Sequence, residues 1–300
     1  MKKVGVIGLG NMGRPIARNI AKGGFEVAVY DINQQAVQSL VEQGATVAQR
    51  PADVAMGADL VITVLPDGPD VLNAMLGEEG VYHAAKQGMV HADFSTVHPK
   101  VSLQLHEEAR SRGIRVLDAA MARSVAEAEV GTLVLMVGGA KEDLGACMPV
   151  FSKVATNIHH CGQKYKKKTK KLVNNLLGGV AAAASIEALL IGQKAGLSPE
   201  IMLQVLATTG GNNAMLHGAI KNKVLTGGYE TPAFALDLQH KDARLAMELA
   251  ADVGAPVLIG ALVQQIRQVA KSRGLGRWDT TAIATVYEEL AGTELRNRRT

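Results

Sequence analysis

At 300 residues, with 47% hydrophobic, 20% charged and 3% aromatic residues and a formal net charge of +4, the chain has the composition of an ordinary globular protein with aliphatic cores. That length exceeds one typical core and predicts two domains. The two cysteines, Cys147 and Cys161, have no CxxC or Cys/His spacing, which argues against a disulfide framework and a metal site. The N-terminus opens directly into an apolar run without a signal-peptide layout, and the expectation is a cytoplasmic protein.

Residues 4–7 (VGVI) form an apolar run too short for a helix, so they predict a strand. Gly8-Leu9-Gly10-Asn11-Met12-Gly13 follows, then Ile16, Ile20 and Ala21 at helical spacing, then a second β-type run at 26–30 that ends on Asp31. Strand, GxGxxG, helix, strand and acidic residue together make a dinucleotide-binding unit. Gly8 permits the tight turn, Gly10 lets the backbone approach a pyrophosphate, and Gly13 lets helix and strand pack closely. The helix N-terminus turns its N–H groups and positive dipole end toward the phosphates. Asp31 suits the ribose hydroxyls of NAD and would repel the 2′-phosphate of NADP. Strands are predicted again at 58–64, 89–93, 114–118 and 132–137. In open α/β sheets ligands bind at the carboxyl ends of strands, which gathers Leu65-Pro66, Ser95-Thr96 and residues 119–124 around one cleft. Ser95 and Thr96 also suit a helix N-cap before Pro99.

A lysine cluster, Lys164, Lys166, Lys167, Lys168, Lys170 and Lys171, then leads into a sequence without strand signals. The apolar run 176–192 is Ala-rich and interrupted by Ser185 and Glu187, which predicts a buried helix and no membrane span. Lys171, Asn174 and Asn175 share one face of that helix at i, i+3 and i+4. Ser198-Pro199 predicts a new helix start, and further helices are expected at 201–207, 235–253, 258–273 and 279–290. The fold class is therefore α/β: a doubly wound Rossmann sheet over residues 1–162, followed by an all-α domain over 163–300 that opens with a long interdomain helix.

These motifs resemble the β-hydroxyacid dehydrogenase family over nearly the whole chain. The resemblance rests on GLGNMGRPIARNI at the N-terminus, Asp93-Phe94-Ser95-Thr96, Gly131-Thr132-Leu133 through Val137-Gly138-Gly139, Lys171-x-x-Asn174-Asn175, and Lys241-Asp242. It implies an NAD-dependent oxidoreductase that interconverts a small anionic aldehyde and its hydroxy acid, with Lys171 as general acid and base. Arg123, Ser124, Asn174, Asn175 and Gly178 would bind substrate. Gly8, Gly10, Asn11, Met12, Gly13, Asp31, Leu65, Pro66, Thr96 and Lys241 would bind cofactor. Where most of the family reads close to APVSGG, this chain reads Ala119-Ala120-Met121-Ala122-Arg123-Ser124, and an arginine in that place resembles the family's sulfolactaldehyde reductase branch. A guanidinium there suits a sulfonate and makes 3-sulfolactaldehyde the first expected substrate. Tartronate semialdehyde, succinic semialdehyde and 3-hydroxyisobutyrate are the alternatives. A second departure places Tyr165 and Lys167 where the family keeps glycines, which raises the alternative of an impaired cofactor-binding relative. The lysine cluster raises a nucleic-acid-binding alternative, weak because Tyr165 is its one interleaved aromatic. A homodimer or homotetramer is expected by analogy.

Overall fold

The structure, a computed structural model, describes residues 1–162 and 166–296, with 166–168 described by their helix alone. The chain divides into two compact units, Met1–Lys171 and Leu172–Thr300.

In the first unit eight strands form one sheet: β1 (Lys3–Ile7), β2 (Glu26–Tyr30), β3 (Thr46–Val47), β4 (Leu60–Thr63), β5 (Val90–Asp93), β6 (Arg115–Ala122), β7 (Leu133–Gly138) and β8 (Ala155–His160). Their order is β3-β2-β1-β4-β5-β6-β7-β8, and every pair is parallel except β6 with β7. The chain runs outward from β1 to β3 and returns to the other side of β1 at β4. The carboxyl ends of β1 and β4 therefore flank the topological switch point where such sheets bind ligands. The central strands are largely apolar because both faces are covered, and the polar Thr63, His91 and Asp93 are buried among them. Val4, Val6, Leu60, Ile62, Val90 and Ala92 enter one core, while Ile7, Val61, Val54, Met75 and Tyr82 enter the other.

The sequence predicts β1, β2 and β4 to β7 but not β3 or β8. β3 is a two-residue edge. β8 reads ATNIHH and, as the opposite edge, exposes most of its side chains, so it carries no apolar run for periodicity to detect.

The second unit is helical. The long helix Lys166–Lys194 is followed by Pro199–Ala207, whose Ser198 hydroxyl accepts the Ile201 N–H at 3.3 Å. A widened segment, Leu216–Val224, bonds five residues back, as Leu225 N to Ile220 O at 3.1 Å shows, and it was not anticipated. Helices Leu236–Asp252 and Leu258–Ser272 come next. The last helix begins at Ala284, later than the predicted 279, because the Asp279 carboxylate accepts the Thr281 N–H and hydroxyl and stabilises a tighter turn over Thr280–Ile283.

By length and composition the segment Thr169–Lys194, which contains an 18-residue stretch of mean hydropathy 1.6, is apolar enough to cross a membrane. Its Ala183, Ile186, Leu189 and Leu190 instead pack with Ile220, Val224, Leu236 and Val263 in the core of the helical unit. Replacing Ile186, which is fully buried, with Ala removes three carbons from that core. The expected cost is about 2–5 kcal/mol, read as a lower urea midpoint with an unchanged slope.

Candidate active site

The glycine loop is held by contact rather than by side-chain bonding. Gly8 has φ +91°, and a Cβ there would stand 2.3 Å from the Val64 carbonyl oxygen; a Cβ on Gly13 would stand 1.8 Å from the Gly8 carbonyl oxygen. Gly10 has no atom within 4 Å of its Cβ position, so the loop is open on the side from which a pyrophosphate would approach. The helix Gly13–Lys22 starts at Met12 with no capping side chain and no acidic residue in its first turn, which leaves its positive end uncompensated by side chains. Asp31 closes the loop from the end of β2. Its Oδ2 accepts the Leu9 N–H at 2.6 Å and its Oδ1 accepts the Asn33 N–H at 2.7 Å. A carboxylate has about four acceptor positions, so this bracing leaves capacity for ribose hydroxyls. The open Gly10, the bare helix start and Asp31 fit a dinucleotide.

On the other side of the loop the Leu65 side chain packs against Gly8, and the Leu65 N–H donates to the Ser95 hydroxyl oxygen at 2.9 Å. Pro66 follows Leu65, and the half-buried Thr96 follows Ser95. The ends of β4 and β5 thus stand beside the loop, as the sequence placed them.

Three further residues cluster at the end of β6. Lys171 donates from Nζ to the Met121 carbonyl at 3.0 Å. Arg123 is exposed, donates to the Thr132 carbonyl at 3.1 Å, and has φ 84°, the one left-handed non-glycine among the described residues. The strain is local: the Cβ of an L-residue crowds the following carbonyl in that region. Ser124 was expected to meet cofactor or substrate. Its hydroxyl donates to Glu127 Oε2 at 2.5 Å, and its N–H reaches the same oxygen at 2.9 Å in a capping box at the start of Val125–Glu129. These bonds hold the Glu127 carboxyl below its ordinary range and leave the Ser124 oxygen as an acceptor only.

In the helical unit, Asn174 Nδ2 donates to Asn175 Oδ1 at 3.3 Å, and Asn175 Nδ2 donates to Asp242 Oδ2 at 2.6 Å. Asp242 is buried and also pairs with Lys241 Nζ at 3.0 Å. Gln239 donates to the Asn175 carbonyl oxygen at 2.7 Å. Asp242 and Gln239 were missed as functional residues. Asp242 was visible beside Lys241 in the sequence, but its pairing with Asn175 is 67 residues long-range. Gln239 carried no signal. Gly178 lies one turn beyond Asn174 and Asn175, and a Cβ there would meet nothing within 4 Å. The helix repeat sets Lys171, Asn174, Asn175 and Gly178 on one face of Lys166–Lys194.

A family model described as the NAD binding domain of 6-phosphogluconate dehydrogenase matches residues 3–162. Another, described as NAD-binding of NADP-dependent 3-hydroxyisobutyrate dehydrogenase, matches residues 166–287. The chain is 35% identical over 293 residues to 2-(hydroxymethyl)glutarate dehydrogenase of Eubacterium barkeri, covering 98% of this chain and 97% of the relative. It is 32% identical over 292 residues to 3-sulfolactaldehyde reductase of Escherichia coli, covering 97% and 98%. A solved 3-hydroxyisobutyrate dehydrogenase of Mycobacterium tuberculosis matches with TM-score 0.86 at 28% identity, covering 96% of this chain and 99% of that one. The chain belongs to the β-hydroxyacid dehydrogenase family. It is an NAD(P)-dependent oxidoreductase acting on a CH–OH group.

Two departures from the pattern of the β-hydroxyacid dehydrogenases were noted in the sequence. Tyr165 lies outside the described residues, and Lys167 is described only as part of its helix. The other is Arg123, which keeps a backbone conformation that glycine takes without penalty. Arg123→Gly is therefore expected to be more stable than Arg123→Ala by about 1 kcal/mol, because both lose the guanidinium and only alanine keeps the strained Cβ. Paired chemical denaturation curves measure the difference, and equal midpoints would remove the strain.

Proposed function

We propose that this enzyme uses NADH to reduce a small aldehyde bearing a separate anionic group, with 3-sulfolactaldehyde as its substrate. The observation that carries this reading is Arg123, an exposed guanidinium on strained backbone at the carboxyl end of β6, tethered to the Thr132 carbonyl. Strain of that kind persists where surrounding structure enforces it, and it collects at ligand sites. A sulfonate is anionic at every physiological pH and matches the fork of a fixed cation. The 32% identity to 3-sulfolactaldehyde reductase supports the same choice. A carboxylate would bind the same fork. The 35% identity to 2-(hydroxymethyl)glutarate dehydrogenase therefore favours 2-(hydroxymethyl)glutarate and its aldehyde as the second reading.

In this proposal the glycine loop holds the pyrophosphate and Asp31 the adenosine ribose, whose 2′-phosphate it would repel. Leu65, Pro66 and Thr96 line the nicotinamide side, and Lys241 approaches the cofactor. The nicotinamide, when bound, supplies the hydride. Lys171 Nζ gives the aldehyde oxygen its proton, or takes the hydroxyl proton in the oxidative direction. The Met121 carbonyl holds that nitrogen at the end of β6. Asn174 and Gly178 receive the substrate from the same helix face. Asn175, braced by Asp242 and Gln239, keeps that face in register. Arg123 anchors the far end of the substrate and so decides which carbon faces the hydride.

We also infer self-association through the helical unit. Val173, Leu177, Ala184 and Ile191 form one exposed stripe along Lys166–Lys194, and Leu258, Leu262 and Val269 form another along Leu258–Ser272. Contiguous apolar stripes of this kind mark interaction surfaces.

Two measurements test these readings. NADH oxidation is followed with 3-sulfolactaldehyde, 2-formylglutarate, tartronate semialdehyde and succinic semialdehyde. The sulfonate is expected to have the highest kcat/KM, and NADPH to serve at least about tenfold less well. Lys171→Ala should lower kcat by about 10²–10⁴-fold, and Arg123→Ala should raise the KM for the sulfonate by about 10–100-fold. Full activity in the first variant overturns the acid; an unchanged KM in the second overturns the anion reading, and preference for 2-formylglutarate selects the second substrate. Light scattering on the wild type should give two or four times 31.6 kDa. Leu258→Asp with Leu262→Asp should shift it to monomer, whereas a monomeric wild type sinks the assembly.

A further inference from the structure

Beneath the carboxyl ends of β4 and β5 runs a chain of buried polar side chains that the proposed chemistry does not use. In the β4–β5 register Val61 pairs with His91 and Thr63 with Asp93, so Thr63, His91 and Asp93 point to the same face of the sheet. That face is covered by the core containing Tyr82, and Thr63, His91 and Asp93 are all fully buried. Four contacts link them. Tyr82 Oη lies 2.9 Å from His91 Nδ1, and His91 Nε2 lies 3.0 Å from Thr63 Oγ1. Thr63 Oγ1 donates to Asp93 Oδ1 at 2.8 Å, and the Ser95 N–H donates to the same oxygen at 3.0 Å.

The donors can be assigned in sequence. A hydroxyl can donate one hydrogen bond, and Thr63 donates its own to Asp93. Thr63 must then accept from His91, which assigns the ring proton to Nε2 and leaves Nδ1 to accept from Tyr82. Tyr82 can supply that bond because burial pushes its phenol well above the ordinary range and keeps it an O–H. Every bond therefore runs one way, from Tyr82 through His91 and Thr63 to Asp93.

The far end of the chain is at the glycine loop. Asp93 fixes the Ser95 N–H, the Ser95 hydroxyl oxygen accepts the Leu65 N–H at 2.9 Å, and the Leu65 side chain packs against Gly8. Asp31 marks the β2 side of the switch point as the adenosine side, and the glycine loop takes the pyrophosphate. The β4 and β5 ends consequently face the nicotinamide half of the cofactor. A buried network with every member bonded holds its parts to one geometry.

We propose that Thr63, His91 and Tyr82 are positioning residues for the nicotinamide half of the cofactor, acting through Asp93, Ser95 and the Leu65 backbone. None of the three needs to touch the cofactor. Their role is to place the β4 and β5 ends, so their loss should weaken binding of the whole dinucleotide and spare its adenosine half. The inference rests on the assignment of the glycine loop to NAD(P), and the test separates the two.

The dissociation constants of NADH and of ADP, which carries the adenosine and pyrophosphate alone, are measured by calorimetry for the full-length protein. The variants are Thr63→Val, Thr63→Ser and Tyr82→Phe. Thr63→Val keeps shape and removes the bridging hydroxyl. It is expected to raise the constant for NADH about tenfold, with the constant for ADP within about twofold of wild type. Thr63→Ser restores the hydroxyl and should return NADH binding to within about twofold. Tyr82→Phe deletes only the first donor, is the variant of choice should Thr63→Val fail to fold, and should weaken NADH by about threefold without affecting ADP. Equal weakening of NADH and ADP, or no rescue by Thr63→Ser, reduces the chain to a structural role and overturns the proposal. Unchanged NADH binding in both Thr63→Val and Tyr82→Phe overturns it as well. A wild type that binds neither ligand instead overturns the cofactor assignment, and this inference with it.

Discussion

The arrangement of the first unit depends on one steric constraint, the absence of three Cβ atoms where β1 turns into its helix. The Gly8 carbonyl oxygen occupies the space a side chain on Gly13 would need, and the Val64 carbonyl oxygen occupies the space for one on Gly8. This closeness brings the helix start, the end of β1 and the end of β4 within van der Waals contact of each other. It also puts backbone rather than side chain at the switch point. A phosphate can approach N–H groups only where nothing stands in front of them, which is what Gly10 leaves open. Asp31 then serves the same loop twice, bracing it through Leu9 and Asn33 while keeping acceptor capacity for a ribose.

Charge is treated differently at the end of β6. Arg123 and Lys171 donate there to the carbonyls of Thr132 and Met121. A carbonyl orients a cation through its dipole and carries no net charge of its own. In the helical unit the cation Lys241 is instead paired with a buried carboxylate, Asp242, which also holds Asn175. Asp242 thereby contacts both side chains.

Much of this was legible in the sequence. The glycine loop, Asp31, the strand ends at Leu65 and Ser95, and the face of Lys171, Asn174 and Asn175 follow from periodicity and spacing, because each lies within a few residues of the element that places it. The strands that escaped, β3 and β8, are edges with exposed side chains, and the widened Leu216–Val224 segment depends on packing rather than on a local pattern. Ser124 was expected to face a ligand and is engaged as a helix cap, since Glu127 three residues later accepts its hydroxyl hydrogen bond. That capping box was present in the sequence but competed with the resemblance for the same serine.

By itself the sequence determined the class of the protein: a doubly wound nucleotide fold, a helical partner unit, a lysine–asparagine face and an arginine where glycine is usual. Those are local properties, set by side-chain period, by the special backbone of glycine and by residue chemistry. Only the tertiary structure decided how residues far apart in the chain divide the work. It joined Tyr82, His91, Thr63 and Asp93 across two strands, turned Asn175 toward Asp242, and put Arg123 in a left-handed backbone held from Thr132. Hydrogen bonds of this kind depend on register between strands and on the packing of helices distant in sequence. No spacing along one segment encodes them.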